Sequence, residues 1–226
     1  MAAVFGRCPV IRVVLADDEH LVRSALRAIL DAEPDIDVVG DAATGAEAVS
    51  VVRQLRPDVV LMDVRMPQID GIRATEQILA TPTEQPPRVL VVTTFENDSA
   101  VYDALRVGAA GFLLKRAGAE ELILAVRLVV RGDSVLFPAA VRRLAAEHAL
   151  RGNAAPPAWA ARLTERESAV LRLLAAGLTN MEIGAKLGIG AATAKTHVAA
   201  VLAKTGTRDR TQAAIAAYES GFIRTG

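Results

Sequence analysis

The chain has a single cysteine, Cys8, and only four lysines among its 226 residues. One thiol cannot form an internal disulfide, and its solitude fits a reducing cytoplasmic compartment. No apolar run reaches the roughly 20 residues that a membrane-spanning helix needs. The N-terminus lacks the layout of a secretory signal peptide, and Met1 to Pro9 reads as a short disordered leader. Net charge is missing too, because 26 Lys and Arg balance 26 Asp and Glu. The shortage of lysine beside 22 arginines, with abundant alanine, points to a GC-rich codon supply and carries no functional message. A chain of this length is expected to hold one or two domains with a proper core.

The zero net charge conceals an asymmetry. Residues 1–131 carry 14 basic and 19 acidic side chains, a net of −5, whereas residues 132–226 carry 12 and 7, a net of +5. Opposite signs in the two halves point to an acidic module joined to one that meets a polyanion, although ordinary scatter between domains gives the same numbers.

What is present is organised around Pro57-Asp58-Val59-Val60-Leu61-Met62-Asp63-Val64-Arg65-Met66-Pro67. The β-type run Asp58–Met62 suits a strand buried on both faces of a parallel sheet. It ends on a carboxylate, Asp63, and ligands of open α/β sheets sit outside the carboxyl ends of the strands. Taken alone, Asp63 reads equally well as a loop carboxylate without a role. Three further runs change its company. Val10–Ala16 ends on Asp17-Asp18, Arg88–Val92 on Thr93-Thr94, and Gly111–Leu114 on Lys115. If these strands are parallel neighbours, three carboxylates, a hydroxyl and an ammonium meet on one edge. Crowded carboxylates repel, and the remedies are a raised pKa or a bound cation. Hard oxygen ligands of this kind suit Mg²⁺, which takes one or two carboxylates plus a phosphate. Lys115 would supply a point charge for that phosphate and Thr93 a hydroxyl donor.

Between these runs the spacing predicts helices. Val22, Ala25, Leu26 and Ile29 follow an amphipathic stripe after Asp18. Gly45–Leu55 reads as a helix with Ala48, Val49 and Val52 inward, after a second strand at Asp37–Gly40. Ile69–Leu79, Asp98–Val107 and Gly118–Val130 read as three more, with a loop at Pro82–Pro87. Strand followed by helix, five times over, implies a doubly wound five-stranded parallel sheet. Residues 133–150 read as a connector with a helical segment in which Val141, Leu144, Ala145 and His148 share a face. Gly152 to Pro157 reads as a linker.

The C-terminal stretch carries clear start and stop signals. Thr164-Glu165-Arg166-Glu167 and Thr179-Asn180-Met181-Glu182 are two capping boxes, and Gly177 and Gly188 close the helices they open. Ile189-Gly190 turns the chain into a longer helix, Ala191–Lys204, which buries Ala194, Val198, Val201 and Leu202. Short helix, tight turn and longer helix make a helix-turn-helix. Ala192, Lys195, Thr196 and Ala199 line its opposite face. That slim face fits a major groove, and it equally fits a plain solvated surface.

Two resemblances discriminate among these readings. Asp17-Asp18, Asp63 with Met66-Pro67 and Gly71, Thr93, and Phe112-Leu113-Leu114-Lys115 resemble the receiver domain of bacterial response regulators over roughly residues 10–131. The resemblance implies Asp63 as phosphate acceptor. It also implies Mg²⁺ held by Asp18, Asp63 and the backbone carbonyl of Arg65, with Asp17 helping indirectly, and Lys115 pairing with the phosphoryl group. Thr93 and Phe112 would form the switch pair. Further on, Leu163–Glu167, Gly177–Ile183, Leu187, Thr193–Val198 and Arg208–Ala213 resemble the LuxR-type DNA-binding domain.

The whole chain is thus similar to the NarL/FixJ family of response regulators. The expected architecture is an α/β receiver at 1–131, a linker with a helical segment at 132–160, and an all-α four-helix helix-turn-helix domain at 161–226. The resemblance implies a cytoplasmic transcriptional regulator, not an enzyme. It implies a sensor histidine kinase as phosphate donor, double-stranded promoter DNA as target and a homodimer on activation. Its expected DNA-facing residues are Ala192, Thr193, Lys195, Thr196, His197, Ala199 and Lys204. Ala194, Gly190, Ala199 and Ala200 depart from the family's usual residues, which shifts weight from base readout to shape and phosphate contacts. Arg116-Ala117-Gly118 departs as well, with no consequence for the acceptor. An aspartate-nucleophile phosphohydrolase would need a carboxylate where Arg65 stands. A pure protein relay would need no basic helical domain. A degenerate receiver on a constitutive DNA-binding protein is the alternative within the family.

Overall fold

The computed structural model describes residues 10–94, 98–131 and 157–223. The readings of a leader at Met1–Pro9, a connector helix at 133–150 and most of the linker fall outside these residues. Among the described residues the chain forms two compact units, 10–94 with 113–131 and 98–112 with 157–223.

The apolar runs are strands; β-branched residues dominate the first, third and fourth, while the second alternates buried and exposed positions from Ile36 to Val38. They are β1 (Ile11–Ala16), β2 (Ile36–Ala42), β3 (Val59–Met62), β4 (Arg88–Thr93) and β5 (Gly111–Leu114), in the order β2-β1-β3-β4-β5. The resolved pairings β1/β2, β1/β3 and β3/β4 are parallel. Every residue of β3 is buried, as is expected of a central strand covered by helices on both faces.

The intervening helices are α1 (His20–Leu30), α2 (Gly45–Leu55), α3 (Gly71–Ala80), α4 (Asp98–Val107) and α5 (Ala119–Val130). Local chemistry starts them where they start. Thr44 Oγ1 accepts the Glu47 amide at 3.1 Å, and Glu47 returns the favour to the amide of Ala43 at 2.8 Å. Asp70 caps α3 by accepting the Arg73 amide at 2.8 Å. Two inward faces differ from the spacing argument. In α1 it is Leu30 that is buried, with Val22, Leu26 and Ile29 half-buried and Ala25 exposed; in α2 Val49 is only half-buried. A stripe of small and β-branched residues leaves the rotation of a helix open by tens of degrees, and packing then decides it.

In the second unit a 3₁₀ turn at Ala160–Arg162 precedes α6 (Glu165–Ala175), α7 (Asn180–Leu187), α8 (Ala191–Thr205) and α9 (Arg210–Glu219). Both capping boxes are formed, at Thr164/Glu167 and Thr179/Glu182. α9, for which the periodicity supplied no separate expectation, opens on Asp209, whose carboxylate accepts the Gln212 amide at 3.0 Å. The tight turn between α7 and α8 has little room: a Cβ on Gly184 would stand 2.7 Å from the carbonyl oxygen of Ile189. The core is Val170, Leu171, Leu174, Ile183, Ala194, Val198, Val201 and the alanine-rich face of α9 closed by Tyr218. Leu202, expected inside, only packs against its edge. In the same unit the Thr211 hydroxyl donates to the carbonyl of Ala110 at 3.1 Å. So many alanines leave few large side chains to hold four helices together. Leu171→Ala should therefore destabilise the unit by about 2–5 kcal/mol, read as a lower urea midpoint for loss of helical signal.

Candidate functional site

The carboxylate site is assembled by strand register. Ala16 of β1 and Met62 of β3 are directly paired, so the next residues, Asp17 and Asp63, emerge side by side at the carboxyl edge. Backbone hydrogen bonds fix both, from the Asp63 amide to the Ala16 carbonyl at 2.7 Å and from the Asp17 amide to the Ala42 carbonyl at 3.1 Å. Thr93 ends β4 at 2% exposure, and its carbonyl accepts the Lys115 amide at 2.8 Å. Phe112, on β5, is buried.

The side chains then meet. Lys115 Nζ lies 2.7 Å from Asp17 Oδ2, 3.1 Å from Asp63 Oδ2 and 3.4 Å from Glu19 Oε1. Asp63 Oδ1 accepts the Val64 amide at 2.7 Å. Burial pushes the Asp63 carboxyl above the usual aspartate range, Lys115 opposes that by hydrogen bonding and charge, and Asp17 adds to it. Burial works against the charge of Lys115, but its hydrogen bonds to Asp17 and Asp63 outweigh it and hold the ammonium above the ordinary lysine value. Asp17, Asp18 and Asp63 each offer an oxygen within 4.8 Å of the others. Asp18 and Arg65 are exposed at the mouth. All-oxygen donors of this charge fit Mg²⁺.

Three contributors lay outside the sequence reading, and one motif residue gains a physical role. Glu19 is a third acidic neighbour of Lys115. Arg23 donates to the Asp17 carbonyl at 2.6 Å. The Val64 amide holds one acceptor oxygen. Gly71, visible as a motif residue, acts through space: a Cβ there would stand 1.9 Å from the Asp63 carbonyl oxygen. Only the Asp70-Gly71 pair carried a sequence signal, since Asp70 caps α3 and leaves Gly71 as the first helical residue.

On α8, Ala192, Thr193, Lys195, Thr196 and Ala199 are all exposed on one side, opposite buried Ala194, Val198 and Val201. The Thr196 hydroxyl donates to the Ala192 carbonyl at 3.2 Å, and His197 is half-buried. Gly190 caps α8 without a side-chain bond. Lys204, at the far end of the helix, is half-buried and has a partner within the protein. Its ammonium lies 2.6 Å from Glu167 Oε2 in the first turn of α6. With the Lys204 hydrogen bond as the largest cause, followed by those from Thr164, the Glu167 carboxyl is lowered to about 2.

A buried aspartate grouped with two further aspartates and a lysine, and a helix-turn-helix on the same chain, are the parts of a response regulator with a DNA-binding domain. Residues 13–127 match the response regulator receiver domain, and residues 161–217 match the bacterial regulatory proteins of the luxR family. The transcriptional regulatory protein LiaR of Bacillus subtilis is 40% identical over 94% of this chain and 99% of its own length. The response regulator VraR of Staphylococcus aureus is 37% identical over 95% and 99%. The solved response regulator ChrA of a heme-sensing two-component system is 36% identical, with a TM-score of 0.51, over 96% of this chain and 100% of its own. The chain belongs to the NarL/LuxR family of two-component response regulators, DNA-binding transcription regulators with a receiver domain. No helix among the described residues is long and apolar enough to cross a membrane.

Two outcomes follow from this geometry. Gly71→Ala should cost about 1–3 kcal/mol or more, because the added methyl meets backbone that cannot yield; an unchanged urea midpoint would contradict the close approach. The depressed Glu167 carboxyl contributes stability that is present above its ordinary value of 4.5 and lost as the pH falls toward 2. Glu167→Gln should flatten the acid limb of the melting-temperature profile in that window.

Proposed function

We propose that this protein is switched by phosphorylation of Asp63, with a sensor histidine kinase as donor, and that the phosphorylated form dimerises on promoter DNA in the cytoplasm. The carrying observation is the convergence of Asp17, Asp18, Asp63 and Lys115 at one sheet edge. The receiver would span residues 1–131 and the DNA-binding domain residues 161–226, joined by 132–160.

An Asp63 carboxylate oxygen forms the bond to phosphorus as the donor's P–N bond breaks, and the departing imidazole nitrogen keeps the electron pair. Lys115 is placed to pair with the incoming phosphoryl oxygens. Asp18, Asp63 and the Arg65 carbonyl would hold Mg²⁺, with Asp17 positioning it indirectly. The cation would neutralise negative charge on the transferred group. The same chemistry admits a small acyl phosphate as donor, since the receiver's own residues do the positioning. The product carries about −1.5 to −2 charges near neutral pH. Thr93 would turn toward that charge and Phe112 follow, which changes the surface around α4 and β5. On the DNA side, Ala192, Thr193, Lys195, Thr196, His197 and Ala199 form the recognition face of α8.

Full-length protein with Mg²⁺ and acetyl phosphate should take up acid-labile phosphate. Asp63→Asn should take up none while keeping its fold, and Asp18→Ala or a chelator should suppress uptake. Phosphate on the Asp63→Asn protein would move the acceptor elsewhere. Phosphorylation should also raise affinity for a selected duplex. To carry the population from 1:99 to 99:1 it must favour the active state by about 5.5 kcal/mol. Equal affinity of the two forms would leave a constitutive DNA-binding protein with a degenerate receiver.

A further inference from the structure

The last turn of the recognition helix is fastened twice to the segment that opens α6. The Lys204 ammonium lies 2.6 Å from Glu167 Oε2. The Lys204 carbonyl in turn accepts a hydrogen bond from Arg162 Nη2 at 2.6 Å. Glu167 is buried, with only 8% of its side chain exposed. Its Oε2 also accepts from the amide of Thr164 at 2.7 Å and from the Thr164 hydroxyl at 3.0 Å. One carboxylate oxygen therefore serves both as capping-box acceptor for α6 and as anchor for α8. A second guanidinium does similar work nearby, since Arg166 donates to the Leu187 carbonyl at the end of α7 at 2.7 Å.

Geometry separates Lys204 from Lys195. A helix rises about 1.5 Å per residue, which puts Lys204 about 20 Å from the start of α8 and Lys195 about 6 Å from it. Helix-turn-helix proteins contact base edges with the N-terminal residues of the recognition helix, and the major groove is only about 12 Å wide. Lys195 is exposed at the entering end, whereas Lys204 is half-buried at the far end.

We infer that Lys204 is a positioning residue for DNA recognition, which sets the attitude of α8 through Glu167 and makes no contact with DNA itself. The inference rests on the DNA-binding reading of this domain. A buried carboxylate already committed to a cap is a fixed point, because it cannot move without uncapping α6. An ammonium attached to it fixes the far end of α8, and with it the angle at which Lys195 and Thr196 are presented. Removing Lys204 leaves a buried carboxylate without its counter-charge, and removing the Glu167 charge releases a half-buried ammonium, so the two substitutions act on one interaction.

The test uses full-length protein and a duplex that the wild-type protein selects from a random pool, with affinity followed against salt well below the melting temperature. Lys195→Ala should reduce the slope of log K against log salt by about 0.9, the signature of one lost phosphate contact, without changing the melting temperature. Lys204→Met should leave the slope unchanged, weaken binding about tenfold and lower the melting temperature. Glu167→Gln should do the same, the double variant should be no weaker than either single one, and Lys204→Arg should restore binding. A slope reduced by about 0.9 in Lys204→Met, together with Glu167→Gln binding as well as wild type, would make Lys204 a direct DNA contact. A lower melting temperature with unchanged affinity would reduce it to a stabilising ion pair. A wild-type protein that selects no duplex at all would instead overturn the DNA-binding reading, and the positioning role with it.

Discussion

Two carboxylates set side by side on adjacent strand ends, almost out of reach of water, repel each other, and the carboxyl edge of the sheet depends on the ammonium placed between them. Lys115 reaches both Asp17 and Asp63 from a different strand, so the cluster closes only when β1, β3 and β5 are in register. The electrostatic cost is concentrated where chemistry is expected, in keeping with the rule that strained titratable groups gather at functional sites. A fold that keeps a buried acidic pair in being through one lysine has the donor set for a further cation, which would relieve the same repulsion.

The C-terminal helices solve a different problem. Their core is rich in alanine, so contact area per residue is small, and polar fasteners supplement it: two capping boxes, and guanidinium groups on the last carbonyls of α7 and α8. Such bonds contribute little individually when exposed. Glu167 differs because it is buried, and a buried carboxylate that loses one partner keeps its desolvation cost.

Much of this architecture was legible in the chain itself. β3 and β4 announced themselves as continuous apolar runs ending on functional groups, and α6 and α7 through Thr-x-x-Glu spacing that leaves little choice of start. α4 and β5 fell where turn residues bracketed them. The face of α1 was less legible, since Ala25 and Leu30 are apolar alike and only packing distinguishes them. The pairing of Lys204 was illegible for a related reason: Glu167, the carboxylate its ammonium meets, is distant in sequence. The roles of Arg23, Glu19 and Gly71 depend on proximity between segments, which no local pattern encodes.

The approach of Gly71 to the backbone of Asp63 has a consequence for how this protein can vary. The Gly71 amide donates to the Val64 carbonyl at 2.8 Å, so residues 64–71 form a hydrogen-bonded ring hung directly below Asp63. A ring of fixed circumference admits no extra link, because one inserted residue would swing the start of α3 away from the strand end and take the acceptor's main chain with it. The exposed stretch Pro82–Pro86 bears no such closure, and surface loops absorb added length at little entropic cost. Length variation among descendants of this chain should therefore collect on the α3–β4 side of the helix and stay out of the eight residues that follow the acceptor.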